Sequence, residues 1–285
     1  MIDALSRELQ RTYVFPDKAA AMERQLRANL AAHKYDAIDQ VSALARMLTE
    51  DLQAITHDKH LRVRAGAPGP GGAGGAGRQS TFGESRRLEG NIAYVEIRTF
   101  SESADDARDR AEAVMGAAAD ATALILDVRA NGGGRPEAVA LVSSYLFGDQ
   151  PVHLNSLYFR PADRTDEFFT DPNVRGKKFG AAKPVYVLTS ARTFSGAEEF
   201  AYNLQALKRA TIVGETTGGG AHPGGVVALP HGLSAFIPSG RAINPVTQTN
   251  WEGTGVKPDV AVAAPDALEK ALELARRLIG SAPRG

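Results

Sequence analysis

The strongest candidate for nucleophilic chemistry is a serine at the junction of an apolar run and the start of a helix. Val187-Leu188-Thr189 closes the run, and residues 190–194 form a short polar turn. Ser195-Gly196-Ala197-Glu198-Glu199-Phe200 then opens a helical pattern. A hydroxyl at that place meets the unpaired N–H groups and partial positive charge of a helix N-terminus. Such donors suit the oxyanion that forms when a hydroxyl attacks a carbonyl. A simple helix-capping serine has the same local sequence, so the reading depends on the rest of the chain.

Three other segments carry chemistry. Asp127-Val128-Arg129-Ala130-Asn131-Gly132-Gly133-Gly134-Arg135-Pro136 leaves a strand and enters a helix through three glycines. Glycines there let backbone N–H groups approach a ligand oxygen. Phosphate binding is disfavoured, because neither a Gly-Lys-Ser/Thr nor a G-x-G-x-x-G pattern is present. The amides of Gly133 and Gly196 are the expected pair of oxyanion donors. Thr56-His57-Asp58-Lys59-His60-Leu61-Arg62-Val63 supplies imidazoles with the intrinsic basicity to deprotonate a serine. Zinc fits this segment poorly, since no third ligand is evident, and no metal or cofactor is expected. Asn250-Trp251-Glu252-Gly253 holds the only tryptophan and a carboxylate, Glu252, able to orient an imidazole. The Gly-rich stretch 214–225 adds His222, which competes with His60 for the role of base.

The elements that must position these residues alternate. Residues 1–64 read as a small helical bundle, with apolar positions at Leu5 and Leu9, then Met22, Leu26 and Leu30, then Leu44, Leu48 and Leu52. Pro16-Asp17 suits a helix start. Residues 65–80 are dominated by glycine and read as a linker. Residues 81–285 read as the core, with strands near 91–97, 123–128, 184–188 and 210–213. Helices are predicted over 104–118, 136–147, 196–207 and 265–278. Short strands are expected at 226–227, 235–237 and 244–246, and residues 160–178 are left as loop. Strand–helix alternation of this kind predicts an α/β core with largely parallel strands.

Composition narrows the classes. Lys+Arg and Asp+Glu each number 33 in 285 residues, so the chain has no net charge to attract nucleic acid or an anionic membrane. It has no cysteine, which removes disulfides and thiolate chemistry. No apolar run is long enough for membrane insertion. The start of the sequence lacks the basic and apolar regions of a signal peptide and reads as cytoplasmic; a mature exported protein would present the same start.

Together these segments resemble the C-terminal (tail-specific) processing proteases, the S41 serine peptidases. The likeness is greatest to the branch of tricorn cores and interphotoreceptor retinoid-binding modules. It rests on Asp127 to Gly134, Thr193 to Phe200 and Arg209-Ala210-Thr211-Ile212-Val213-Gly214-Glu215-Thr216-Thr217-Gly218-Gly219-Gly220. The resemblance implies a crotonase/ClpP-like core of ββα units behind an N-terminal helical domain, with Ser195 as nucleophile. The tail-specific branch places a lysine base 25 residues after the serine, where this chain has Gly220. The tricorn-like branch uses an N-terminal histidine and a late carboxylate, which implies His60 as base and Glu252 as its orienting group. The family's usual PDZ domain has only the 65–80 stretch in its place, and Lys59 stands where the tricorn-like pattern has a serine. The expectation is a serine peptidase acting on a peptide or protein substrate, with no nucleic-acid partner and no expectation for oligomeric state. The alternatives are a non-proteolytic binder of hydrophobic ligands on the same fold, and an esterase.

Overall fold

The computed structural model describes residues 1–67 and 79–281. In chain order its elements begin with α1 (Ile2–Thr12), α2 (Pro16–Ala31), α3 (Val41–Thr56), β1 (Arg62–Ala65), β2 (Phe82–Leu88) and β3 (Ile92–Ile97). They continue with α4 (Ala104–Ala118), β4 (Ala123–Asp127), α5 (Pro136–Ser144), β5 (His153–Phe159), β6 (Arg164–Phe169) and β7 (Val185–Thr189). The last are α6 (Gly196–Ala206), β8 (Thr211–Gly214), β9 (Gly224–Leu229), β10 (Leu233–Pro238), β11 (Gly240–Ile243), β12 (Val260–Ala261) and α7 (Ala267–Ser281). Of the stretch expected as a linker, residues 68–78 lie outside the described residues, and Ala65 is the last residue of β1.

The chain divides into two compact units. The first comprises residues 1–77, 157–166 and 222–242; the second comprises 78–156, 167–221 and 243–285. In the first unit, α1, α2 and α3 present the apolar stripes read from the sequence. Leu5, Leu9, Met22, Leu26, Leu48 and Leu52 are fully buried. They share a core with Leu61 and with Leu233, Ala235 and Ile237 of β10. A three-stranded antiparallel sheet, β1-β10-β9, completes this unit, with Arg62 opposite Phe236. Pro16 opens α2, where a missing N–H costs nothing. Helix α3 stops at His57, whose φ of 58° is left-handed and whose N–H donates to Gln53 O at 2.8 Å. That turn delivers Asp58 to the interior, where it is fully buried.

The second unit is built on a six-stranded sheet in the order β12-β8-β7-β4-β3-β2. Strands β3, β4, β7, β8 and β12 run parallel, and β2 is antiparallel to β3. All five residues of β4 and all five of β7 are buried, as expected of strands covered on both faces. Helix α7 closes one face through Ala267, Ala271, Leu272 and Ala275, against Tyr94, Ile125, Tyr186 and Leu188. The chain leaves β4 and β7 at the same end of the sheet, and these exits carry the glycine loop and Ser195.

Three expectations need correction. Residues 244–246 do not form a strand: Asn244 Oδ1 accepts the N–H groups of Val246 (3.0 Å) and Thr247 (3.1 Å), so the side chain makes a turn after β11. The stretch 160–178 is not all loop, since β6 lies in it and pairs with β5. Helix α5 ends at Ser144, three residues short of the expected end. No described helix is long and apolar enough to cross a membrane.

Candidate active site

Ser195 caps α6, yet its backbone is not that of an ordinary cap. N-cap residues take extended, negative-φ conformations, whereas Ser195 has φ 55° and ψ −123°. A non-glycine residue held there costs on the order of 1–3 kcal/mol and persists only where its surroundings over-determine it. A strained strand-to-helix turn is also how a nucleophilic hydroxyl is thrust clear of its own helix.

The surroundings are hydrogen-bonded at every step. Thr193 Oγ1 donates to Val128 O (2.9 Å), Ser190 Oγ donates to Arg129 O (2.6 Å), and Phe194 N donates to Asn131 O (3.1 Å). These bonds tie the serine turn to the loop that leaves β4. Asn131 is fully buried and donates through Nδ2 to Ile97 O at 3.0 Å. At Gly133 (φ 108°) a Cβ would stand 2.7 Å from Ser195 Cβ and 2.8 Å from Gly196 N, so only glycine fits.

Of the two expected oxyanion donors, the Gly196 amide heads α6 and has no acceptor among the described residues. The Gly133 amide is already engaged: it donates to Asn131 Oδ1 at 2.8 Å, because Asn131 closes a local side-chain turn two residues earlier. As an oxyanion donor, Gly133 would first have to release this bond.

Two adjacent glutamates on α6 have opposite surroundings. Glu198 is fully buried and its carboxylate accepts four hydrogen bonds. They come from Ser195 N (2.8 Å), Thr217 Oγ1 (2.5 Å), Gly219 N (2.6 Å) and Gly220 N (2.9 Å). Burial pushes its pKa up, against the pull of those four donors. Glu199 Oε1 is buried with no hydrogen bond. Burial pushes this carboxyl up to about 8, opposed by the Asn155 side chain and assisted by Glu137. Glu252 lies in the same unit, where its Oε2 accepts Ala221 N–H at 2.6 Å. Trp251 Nε1 beside it donates to Gly220 O at 2.7 Å.

His60 and His222, like His57, belong to the first unit. One buried carboxylate organises them: Asp58 Oδ1 accepts His60 N–H (3.0 Å), while Oδ2 meets His222 Nδ1 (2.8 Å) and accepts Tyr13 OH (3.2 Å). The Phe15 ring stands edge-on to the His222 imidazole, with centroids 5.3 Å apart. The His60 ring lies against Phe236. Burial pushes His60 down to about 4; the Asp58 charge opposes this, and His222 and Arg62 add to it.

Ser195, Gly133, Gly196 and Glu252 thus fall in one unit and His60 in the other. Sequence reasoning missed the Asp58–His222 pair, whose members stand 164 residues apart. It also missed Glu198, although the Ser-x-x-Glu spacing of a capping box was visible.

Fold and site together give a strand-to-helix elbow bearing Ser195 on a mixed, largely parallel sheet in one unit, with His60 and His222 in the other. The chain belongs to peptidase family S41, whose model matches residues 91–262. A second model, the N-terminal domain of Peptidase_S41 in eukaryotic IRBP, matches residues 1–79. A C-terminal processing peptidase of the chloroplast from Tetradesmus obliquus is 31% identical over 197 residues, covering 68% of this chain and 40% of that protein. The chain therefore spans less than half the length of this curated relative. Among solved structures, a putative peptidase from Parabacteroides merdae superposes with a TM-score of 0.69 at 20% identity, covering 96% of this chain and 95% of the other. The tricorn protease superposes with a TM-score of 0.63 at 14% identity, covering 98% of this chain and 36% of the other.

Proposed function

We propose that this protein is a serine peptidase that cleaves peptide or protein substrates through an acyl-enzyme on Ser195. The observation that carries the reading is the Ser195 backbone, a positive-φ elbow set against a loop where only glycine fits. The C-terminal processing peptidases similar to this chain support the substrate class. In the proposed reaction His60 takes the hydroxyl proton as Oγ attacks the scissile carbonyl. The Gly196 amide receives the oxyanion, and Gly133 completes the hole when its N–H exchanges Asn131 for the substrate oxygen. The proton then passes to the leaving amine, and water hydrolyses the ester by the same route. An imidazole kept neutral by burial is in the right form to accept a proton. The imidazolium it becomes needs a carboxylate, the role assigned to Glu252.

A fluorophosphonate probe tests this. Labelling located at Ser195 by peptide mass spectrometry, and lost in both Ser195→Ala and His60→Ala, is the expected result. A folded protein that takes no label would remove the nucleophile assignment.

A further inference from the structure

We propose that Glu198 is a positioning residue for the reaction, one that holds Ser195 in its strained conformation and fixes it relative to the 217–221 loop, whose Ala221 amide Glu252 holds. The proposal rests on the reading of Ser195 as nucleophile. A capping box takes two reciprocal bonds, of which the Glu198 carboxylate supplies one by accepting the N-cap amide. Glu198 makes that bond to Ser195 N and three more, to Thr217, Gly219 and Gly220, which lie 19, 21 and 22 residues further along. Capping does not call for the extra three. Each carboxylate oxygen accepts two donors. Oε2 is shared between the Ser195 amide and the Gly220 amide, so one atom bridges the nucleophile's backbone to the loop. The loop continues directly into Ala221, whose N–H is held by Glu252 Oε2. At the other end, Thr217 Oγ1 donates to Glu198 Oε1 and accepts the Val256 N–H at 2.7 Å, which brings in a third segment.

The chemistry of the site requires an acceptor-only group. All four hydrogen bonds run toward the carboxylate, and no cation is among its hydrogen-bond partners. A glutamine keeps one oxygen and turns an NH2 toward two N–H or O–H donors, leaving them unpaired in a buried site. A small displacement of a nucleophile is enough to cost about 100-fold in rate, so the loss should fall on the chemical step.

The test measures reversible probe binding, the rate constant for phosphonylation of Ser195, and the thermal midpoint for the full chain and its variants. Glu198→Gln should lower the phosphonylation rate constant by about 100-fold and leave reversible binding unchanged. Thr217→Val should lower it by a smaller factor, and Thr217→Ser, which keeps the hydroxyl, should restore it. Folded Glu198→Gln and Thr217→Val proteins that label at the wild-type rate would overturn the positioning role and leave the nucleophile reading standing. If Glu198→Gln fails to fold, Thr217→Val against Thr217→Ser decides the matter alone. Wild-type protein that folds and does not label would instead defeat the nucleophile reading, and this proposal with it.

Discussion

The Ser195 elbow and the histidine segment are fixed by different means. At the elbow, the fold holds the backbone itself: amides and carbonyls of 128–134, 193–196 and 217–220 bond to one another or to Glu198 and Asn131. In the segment from Thr56 to Leu61, one side chain is the hub, because Asp58 accepts the His60 amide and the Tyr13 hydroxyl and meets the His222 ring. A site held by many backbone bonds does not tolerate an added atom, nor the loss of the Glu198 carboxylate on which several of those bonds converge. A site hung on one carboxylate tolerates small steric change but is sensitive to charge and protonation.

The largest effect expected from this difference is at Gly133. Gly133→Ala puts a methyl group 2.7 Å from Ser195 Cβ at a φ of 108°. Phosphonylation should fall by about 100-fold, with a stability loss of about 1–3 kcal/mol in denaturant titration. Wild-type labelling by this variant would mean that the elbow is more pliant than its bonding suggests.

The histidine segment should answer to pH. With His60 pushed down to about 4, it stays neutral and able to accept a proton throughout the ordinary imidazole range. The acid limb of the phosphonylation rate of free protein should therefore lie near 4. A limb near 6.5, the value of an unperturbed imidazole, would take His60 out of the base role.

A smaller effect is expected from Glu199. Its folded-state pKa of about 8 lies well above the ordinary carboxyl value of 4.5. The folded form keeps its proton over a range in which the unfolded form has lost it. The stability this provides is complete below about 4.5 and is lost as pH rises through about 8. Glu199→Gln mimics the protonated acid, so its melting temperature should gain on the wild type by a few degrees as pH rises from 5 to 8. Parallel melting curves across that range would show that Glu199 finds a partner on ionising.

The smallest effect belongs to Tyr13→Phe. It removes one 3.2 Å bond to Asp58 and leaves His222 in place. A loss of about 1 kcal/mol in stability, with the labelling rate unchanged, is the expected result. A fall in labelling rate would make Tyr13 part of the orienting apparatus.

Much of this was legible in the sequence, for physical reasons that differ by element. Helix α4 and strand β4 follow directly from apolar pattern, since one buries a stripe and the other buries every side chain. Strand β6, Arg164-Thr165-Asp166-Glu167-Phe168-Phe169, was hidden because it is mostly exposed and charged, and its identity comes from its neighbour. Ser195 and its glycine loop were readable because the turn chemistry is local. The pairing of Asp58 with His222 was not, since it depends on β9 and β10 returning to β1 from far along the chain. The engagement of Gly133 N–H by Asn131 is local, yet depends on a side-chain rotamer that no pattern specifies.

The first unit is assembled from three separated stretches of chain, and this has a consequence during synthesis. Strand β1 ends at residue 65, and its partner β10 begins at residue 233. At ordinary translation speeds the two leave the ribosome roughly 10–30 s apart. Through that interval the three N-terminal helices stand without Leu233, Ala235 and Ile237 to close their core, and a nascent chain is exposed to aggregation or to chaperone capture. The same delay acts as a safeguard. The Asp58–His222 pair does not exist until residue 222 has been made, so a prematurely terminated chain lacks it, and any reactivity that depends on it is withheld until most of the polypeptide is complete.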